Sequence, residues 1–263
     1  MDLLRKNLAP ISKEAWNEIN HRAEEILTAA LSARKFVDVD GPKGWDFAAV
    51  NKGRLDIPKG QKGNLKYGVH QVQPLVESRA NFSLNIWELD NAVRGANVID
   101  LDNLEEAAHE IAAFEEKVIY YGLKEAGVPG LKNASDQKQV KFEKGEGLLK
   151  SVTQALSLFK EKGVEGPFSL VLNREKWQQL AGELVNGYPL KKQILKLIEG
   201  DVIFAPNTKE AFLVSQRGGD FRLTLGSDIS IGYDNHDGKK VDLFFTESFT
   251  FEVLDPDAVV VLS

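Results

Sequence analysis

From Asp102 to Ala126 apolar residues return at every third or fourth position. Leu104, Ala107, Ile111, Phe114, Val118 and Tyr121 fall on one stripe, which predicts an α-helix. Asp102 followed by Glu105 reads as a capping box at its start, and Gly127 before Val128-Pro129-Gly130 reads as its stop. At 1.5 Å per residue this is a rod of about 36 Å, long enough to act as the spine of a domain. A second amphipathic helix is predicted over residues 13–34 with Ser12 as its cap. Trp16, Ile19, Ala23, Ile26, Leu27 and Ala30 form its apolar stripe, and Glu18, His21, Arg22 and Glu25 lie opposite. Arg34–Val39 then reads as extended chain.

Alternation with period two marks the strands. Over Pro74–Asp90, Val76, Ala80, Phe82, Leu84 and Ile86 alternate with Glu77, Arg79, Asn81, Ser83 and Asn85, the pattern of a half-buried strand. Trp87 falls on the polar face of that pattern, where a large aromatic is expected to meet a neighbouring subunit or a ligand. Near the C-terminus Val241, Leu243, Phe245, Phe249, Phe251 and Val253 share one face of a long strand, interrupted by Glu247. A carboxylate there must be paired or protonated, and structural pairing explains it more simply than catalysis does. Residues 45–73 look like an excursion from the core. Strand-like pieces at Arg54–Ile57 and Leu65–Val72 flank a Gly/Lys-rich tip at Pro58–Asn64, which suits a mobile loop or an arm that pairs with another subunit. Between 136 and 222 short elements alternate: helices near Leu148–Phe159, Glu175–Leu184 and Pro189–Ile198, strands at Phe168–Leu172, Val202–Ala205 and Ala211–Ser215, and a loop at Gly182–Tyr188. That is an α/β subdomain.

Composition narrows the function. There is no cysteine, which excludes disulfides, thiol catalysis and thiolate metal sites and agrees with a cytoplasmic location. The N-terminal stretch lacks an apolar run long enough for a secretory signal, and no run is long enough to span a membrane. A net charge of −6 argues against a surface that neutralises nucleic-acid phosphates.

Catalytic and metal patterns are not met. His109-Glu110 is followed by Ala113 where a zinc peptidase needs a second histidine, and no glycine-rich segment has the form of a phosphate loop. Glu18-x-x-His21 and Glu106-x-x-His109 carry the spacing of di-iron carboxylate ligands, but both pairs point away from their apolar stripes and read as solvated helix faces. No metal site and no enzymatic activity are expected.

Several segments in order resemble one family. They are Arg34-Lys35-Phe36-Val37-Asp38-Val39 with Gly41-Pro42 and Gly44, Trp87-Glu88-Leu89-Asp90 with Arg94-Gly95, and Gly163-Val164-Glu165-Gly166-Pro167-Phe168. Tyr188-Pro189-Leu190, Arg217-Gly218-Gly219-Asp220-Phe221, Leu225-Gly226, Ser230-Ile231-Gly232-Tyr233 and Thr246-Glu247-Ser248-Phe249-Thr250-Phe251 complete the set. Their joint order is similar to that of the type 1 encapsulin (linocin-type) shell proteins.

The resemblance implies an α+β chain with the Hong Kong 97-type phage capsid fold. Residues 1–44, 74–135 and 223–263 would form the peripheral domain with its spine helix, 45–73 the extended loop that joins neighbours, and 136–222 the axial domain. It implies self-assembly into the simplest icosahedral shell of about 60 copies. The shell would enclose a ferritin-like iron oxidase or a dye-decolourising peroxidase carrying a C-terminal targeting peptide, for iron storage or defence against oxidative stress. No membrane or nucleic-acid partner is implied; a viral or prophage capsid protein of the same fold, packaging nucleic acid, is the alternative. The peptide site would involve Arg34, Asp38, Asp228 and Ile229, with the two aspartates facing a basic residue and Ile229 an apolar one; the same positions would serve as fold-stabilising contacts. Gly182, Glu183, Leu184, Val185, Asn186, Gly187 and Tyr188 match the loop lining the five-fold pore, which Glu183 would make acidic. No cofactor is required, but flavin-binding members imply a flavin contact at Arg79 and Trp87, which share a strand face and lie roughly 26 Å apart if the strand runs straight.

Overall fold

The computed structural model describes residues 3–263. In chain order the elements are α1 (Lys13–Ala30), β1 (Asp38–Asp40), β2 (Ala49–Asp56), β3 (Val69–Pro74), β4 (Val76–Asn85), α2 (Ile86–Val93) and α3 (Asp102–Tyr121). There follow α4 (Gly130–Ala134), α5 (Glu146–Glu161), β5 (Phe168–Leu172), α6 (Arg174–Gly182), β6 (Leu184–Val185) and β7 (Tyr188–Pro189). The last are α7 (Leu190–Ile198), β8 (Val202–Phe204), β9 (Ala211–Ser215), β10 (Phe221–His236), β11 (Lys240–Val253) and β12 (Val259–Leu262).

Two four-stranded sheets organise the chain. The first has the order β1-β10-β11-β4, with β1 parallel to β10 and the other pairings antiparallel. The second runs β12-β9-β5-β8, with only β5 and β8 parallel. The spine helix α3 runs past both. Leu104, Ala107, Ala108 and Ile111 enter the core formed with α1, β4 and β11, whereas Val118, Ile119 and Tyr120 enter the core of the second sheet. A rod of 20 residues, about 30 Å long, therefore fixes one core relative to the other.

Several sequence expectations are corrected. The spine ends at Tyr121, not Ala126. Gly122 stops it at φ 86°, because the chain folds back so closely that a Cβ there would lie 2.4 Å from the carbonyl oxygens of Val128 and Pro129. The first turn is capped by Asp100, whose Oδ1 accepts from Asp102 N at 3.1 Å, and Glu105 reaches across to Arg22 at 2.7 Å instead of closing a box. Helix α1 keeps its Ser12 cap but ends at Ala30, and Ala33–Lys35 form a 3₁₀ turn in place of extended chain. Strand β4 stops at Asn85, whose side chain accepts from Trp87 N, so Trp87 belongs to helix α2 and not to a strand face.

The longest strand, β10, escaped notice in the sequence because bulges between Leu225 and Ser230 break its alternation. Strand β12 pairs with β9, so the C-terminal residues complete the sheet of the 136–222 segment although the sequence grouped them with 223–263. Gly182–Tyr188, expected as a loop, contains a tight hairpin. Asn186 and Gly187 take φ 52° and 76° between the paired Val185 and Tyr188, the geometry of a two-residue Asn-Gly turn.

Candidate functional site

Three of the four positions implicated in peptide docking come together. Arg34, Asp228 and Ile229 line an open groove of about 490 Å³ between α1 and the bulged stretch of β10. Ala23, Leu27 and Leu31 form the helical wall, and Ile231 and the buried Phe245 form the bottom. The bulge creates the other wall: it turns Asp228 outward, with Oδ1 accepting from the backbone N–H of Ile229 at 2.8 Å. Lys6, Glu24 and Lys35 bring further charge to the rim. An apolar trough with opposite charges along its edges suits a short peptide with alternating apolar and charged side chains. Asp38 is not among the lining residues. It sits on β1, where its Oδ2 accepts from Gly219 N at 2.6 Å and pins the 217–220 turn.

Arg34 is committed to the protein interior. Its Nε donates to both oxygens of Glu115 at 3.0 Å, and Nη2 reaches Glu115 Oε2 at 2.5 Å and Glu247 Oε1 at 2.7 Å. Only Nη1 points to the groove, donating to Asp228 Oδ1 at 2.8 Å. Both glutamates are fully buried, so the interruption of the β11 face by Glu247 is resolved by pairing, as the sequence required. Burial disfavours a charged guanidinium, but Glu115, Glu247 and Asp228 outweigh it and hold Arg34 firmly protonated. Burial, reinforced by the charge of Glu115, pushes Glu247 well above the usual carboxylate range.

Next to Glu115 on α3, Glu116 is also buried. Its Oε1 accepts from Ala33 N at 2.8 Å and its Oε2 from Ser32 Oγ, which also contacts Tyr120 OH at 2.8 Å. Burial pushes this carboxyl up to about 7 despite those donors. Glu106 and His109 stand on an exposed face of the spine, as their spacing predicts, but the sequence does not mark Glu115 and Glu116 as solvated and the fold buries both. A signal was present: Glu115 lies four residues after Ile111 and four before Ile119, inside the apolar stripe.

The remaining candidate residues stay apart. Arg79 lies over the Phe244 ring at 4.0 Å and lines a hollow with Glu110 and Phe114, whereas Trp87 lines a different one with Glu88 and Asp100. One chain does not build a flavin pocket from that pair. His21 and His109 share an open cleft between α1 and α3, but no group of three metal-ligating side chains is found among the described residues. In the hairpin after α6, Leu184 and Tyr188 are exposed and Val185 is buried; Gln193 Nε2 donates to the carbonyls of Val185 and Tyr188, both at 3.2 Å, and braces the turn. No helix among the described residues is long and apolar enough to cross a membrane.

Comparison with known proteins extends this picture. Residues 1–250 match the family described as encapsulating protein for peroxidase. A type 1 encapsulin shell protein of Rhodospirillum rubrum is 41% identical over 270 residues, covering 100% of this chain and 96% of that protein. Among solved structures, a virus-like particle from Pyrococcus furiosus superposes with a TM-score of 0.65 at 16% identity, covering 94% of this chain and 98% of that one. The capsid of the myovirus XM1 gives a TM-score of 0.56 at 12% identity, covering 89% and 92%. The two structures establish the fold, which is the Hong Kong 97-type capsid fold.

Proposed function

Because this chain belongs to the encapsulin family of shell proteins, we propose that it assembles with copies of itself into a closed compartment that holds a cargo enzyme in the groove between α1 and β10. The family consists of structural proteins, not enzymes. The observation that carries the docking assignment is the groove itself. It has an apolar trough, a rim carboxylate at Asp228 with one oxygen uncommitted to Arg34, and Ile229 beside it. A C-terminal peptide with a basic residue would take Asp228, and an apolar residue would lie against Ile229, Leu27 and Phe245. The family's description favours a peroxidase as cargo, with a ferritin-like iron oxidase as the second choice. Iron storage or protection from oxidative stress in the cytoplasm is the physiological role that follows.

The shell is proposed to contain about 60 copies, the smallest icosahedral set. In it the hairpin around Asn186-Gly187 would line the five-fold opening, and Glu183 would favour passage of cations. A flavin at Trp87 would need its second wall from a neighbouring copy, and flavin absorbance in purified shells would reveal it. Coexpression with a peroxidase bearing a C-terminal peptide tests the central proposal. Wild type should yield closed particles carrying the enzyme, and Asp228→Lys with Ile229→Glu should yield equally closed but empty particles. Undiminished loading would remove the groove assignment, whereas small soluble species in place of particles would remove the shell reading. Particles filled with DNA would favour a viral capsid.

A further inference from the structure

Beneath the groove, the contacts of Arg34 end on a carboxyl that no peptide could touch. Glu247 projects from β11 into the interior, fully buried, and its Oε1 accepts from Arg34 Nη2 at 2.7 Å. Its other oxygen, Oε2, is buried too and meets no hydrogen-bond donor among the described residues. A buried oxygen without a donor is a poor seat for negative charge, in line with the upward push that burial gives this carboxyl. Arg34 links it to the groove. Nη2 faces Glu115 and Glu247, and Nη1 donates to Asp228 Oδ1 at 2.8 Å.

The other charged groups around Glu247 leave that link in place. On α3, Glu115 binds the same guanidinium, and Glu116 beside it is taken up by Ser32 and Ala33. On β4, Ser78 stands opposite Glu247; the flanking Glu77 and Arg79 are exposed, and Arg79 lies over the Phe244 ring. Lys132 on α4 is paired with Glu210 at 2.6 Å. At the far end, Lys6, Glu24 and Lys35 stand on the groove rim with Asp228. The charge of Arg34 is therefore divided among Glu115, Glu247 and Asp228.

A basic side chain captured by Asp228 comes to rest beside Arg34, like charge next to like charge. A new negative charge behind Arg34 relieves that repulsion, and Glu247 supplies one by giving up its proton. Resting on the groove reading above, we propose that Glu247 is a positioning residue that acts through Arg34: capture of a basic peptide residue at Asp228 expels the Glu247 proton to solvent, so docking tightens as the pH rises. The sign follows from linkage, because a ligand that favours the deprotonated protein is itself bound more tightly by it. Asp228, the guanidinium and the hydrogen bonds between them separate the peptide cation from Glu247 by about 10 Å. At an effective dielectric constant of about 20 that attraction amounts to about tenfold in affinity.

Equilibrium dialysis of assembled particles against a synthetic peptide, from pH 5.5 to pH 9.5, provides the test. The peptide is an N-acetylated octamer of leucine and serine with one arginine, whose charge is constant throughout. Wild type should bind it about tenfold more tightly at the alkaline end. Glu247→Gln keeps the acceptor for Arg34 and removes the titration, so its affinity should stay near the wild-type value at pH 5.5 throughout. Glu116→Gln should retain the wild-type rise, and a peptide with glutamine in place of arginine should bind wild type without a slope. Electron microscopy and melting curves verify that each variant is folded and closed. A flat wild-type profile overturns the proposal, as does a rise that persists in folded Glu247→Gln or vanishes in Glu116→Gln. Should Glu247→Gln not fold, the two peptides on wild type decide: equal slopes overturn the coupling, and a slope confined to the arginine peptide upholds it. Binding of neither peptide at any pH removes the groove reading first, whereas binding without a slope removes the coupling alone.

Discussion

Replacing Glu116 by Gln should change how stability depends on pH while leaving the packing in place. In the folded protein this carboxyl titrates at about 7, against 4.5 for an ordinary glutamate. A carboxyl whose folded value is raised binds its proton more tightly when folded. Its contribution is therefore fully present below about 4.5 and is lost as the pH rises through about 7. The gap is worth about 3 kcal/mol at about 1.36 kcal/mol per pH unit. Glutamine keeps the acceptor for Ala33 N, and its amide can donate to Ser32 Oγ, whose proton then turns to Tyr120 OH. The substitution removes the titration without opening a cavity. The titratable groups that act with it are Glu115 and Tyr120 on α3; Arg34, Asp228 and Glu247 gather around Glu115 instead. Glu247 adds a slope of the same sign in both proteins, so it largely cancels in their difference. Melting temperatures of wild type and variant, compared from pH 5 to pH 8.5 in the same assembly state, provide the assay. The variant should start level and gain about 6 °C at the alkaline end, at roughly 2 °C per kcal/mol for a chain of this size. A difference that stays flat across that range would refute the argument that burial controls this carboxyl.

Arg34→Met should destabilise the fold by about 3–5 kcal/mol in denaturant titrations, because it leaves Glu115 and Glu247 buried without their cation. Asp228→Ala should change stability by less than about 1 kcal/mol, since its pair with Arg34 is at the solvent edge, yet weaken binding of a basic peptide measured by calorimetry. Ile111→Pro should cost about 3 kcal/mol or more by breaking the spine between the two cores, and electron microscopy should find no closed particles. Gly122→Ala forces a side chain against the Val128 and Pro129 carbonyls, and a loss of about 1–3 kcal/mol is expected from chemical denaturation.

What the chain determined by itself is local. Periodicity located α1 and α3, and short runs of strand-type residues matched Phe168–Leu172 and Ala211–Ser215 residue for residue, because these signals are written into neighbouring positions. Glu247 announced a buried carboxyl in the same way, as a break in an apolar face, and the ordered family segments pointed to the shell fold. Trp87 shows the limit of that reasoning: the alternation placed it on a strand face, but Asn85 caps a helix there, and the strand had already ended.

Tertiary structure decided the rest. Gly122 ends the spine because Val128 and Pro129 return to meet it, a contact no periodicity predicts. Asp38 and Asp228 look interchangeable as acids, yet β1 places one against Gly219 and the β10 bulge turns the other into the groove. Glu115 and Glu116 are acids on an amphipathic helix, but α3 packs on two cores and has too little free surface to expose them. Their partners lie more than eighty residues before them, and Glu247 lies more than a hundred after. Whether a charge meets water or another charge depends on which distant segment covers it, and only the folded chain fixes that.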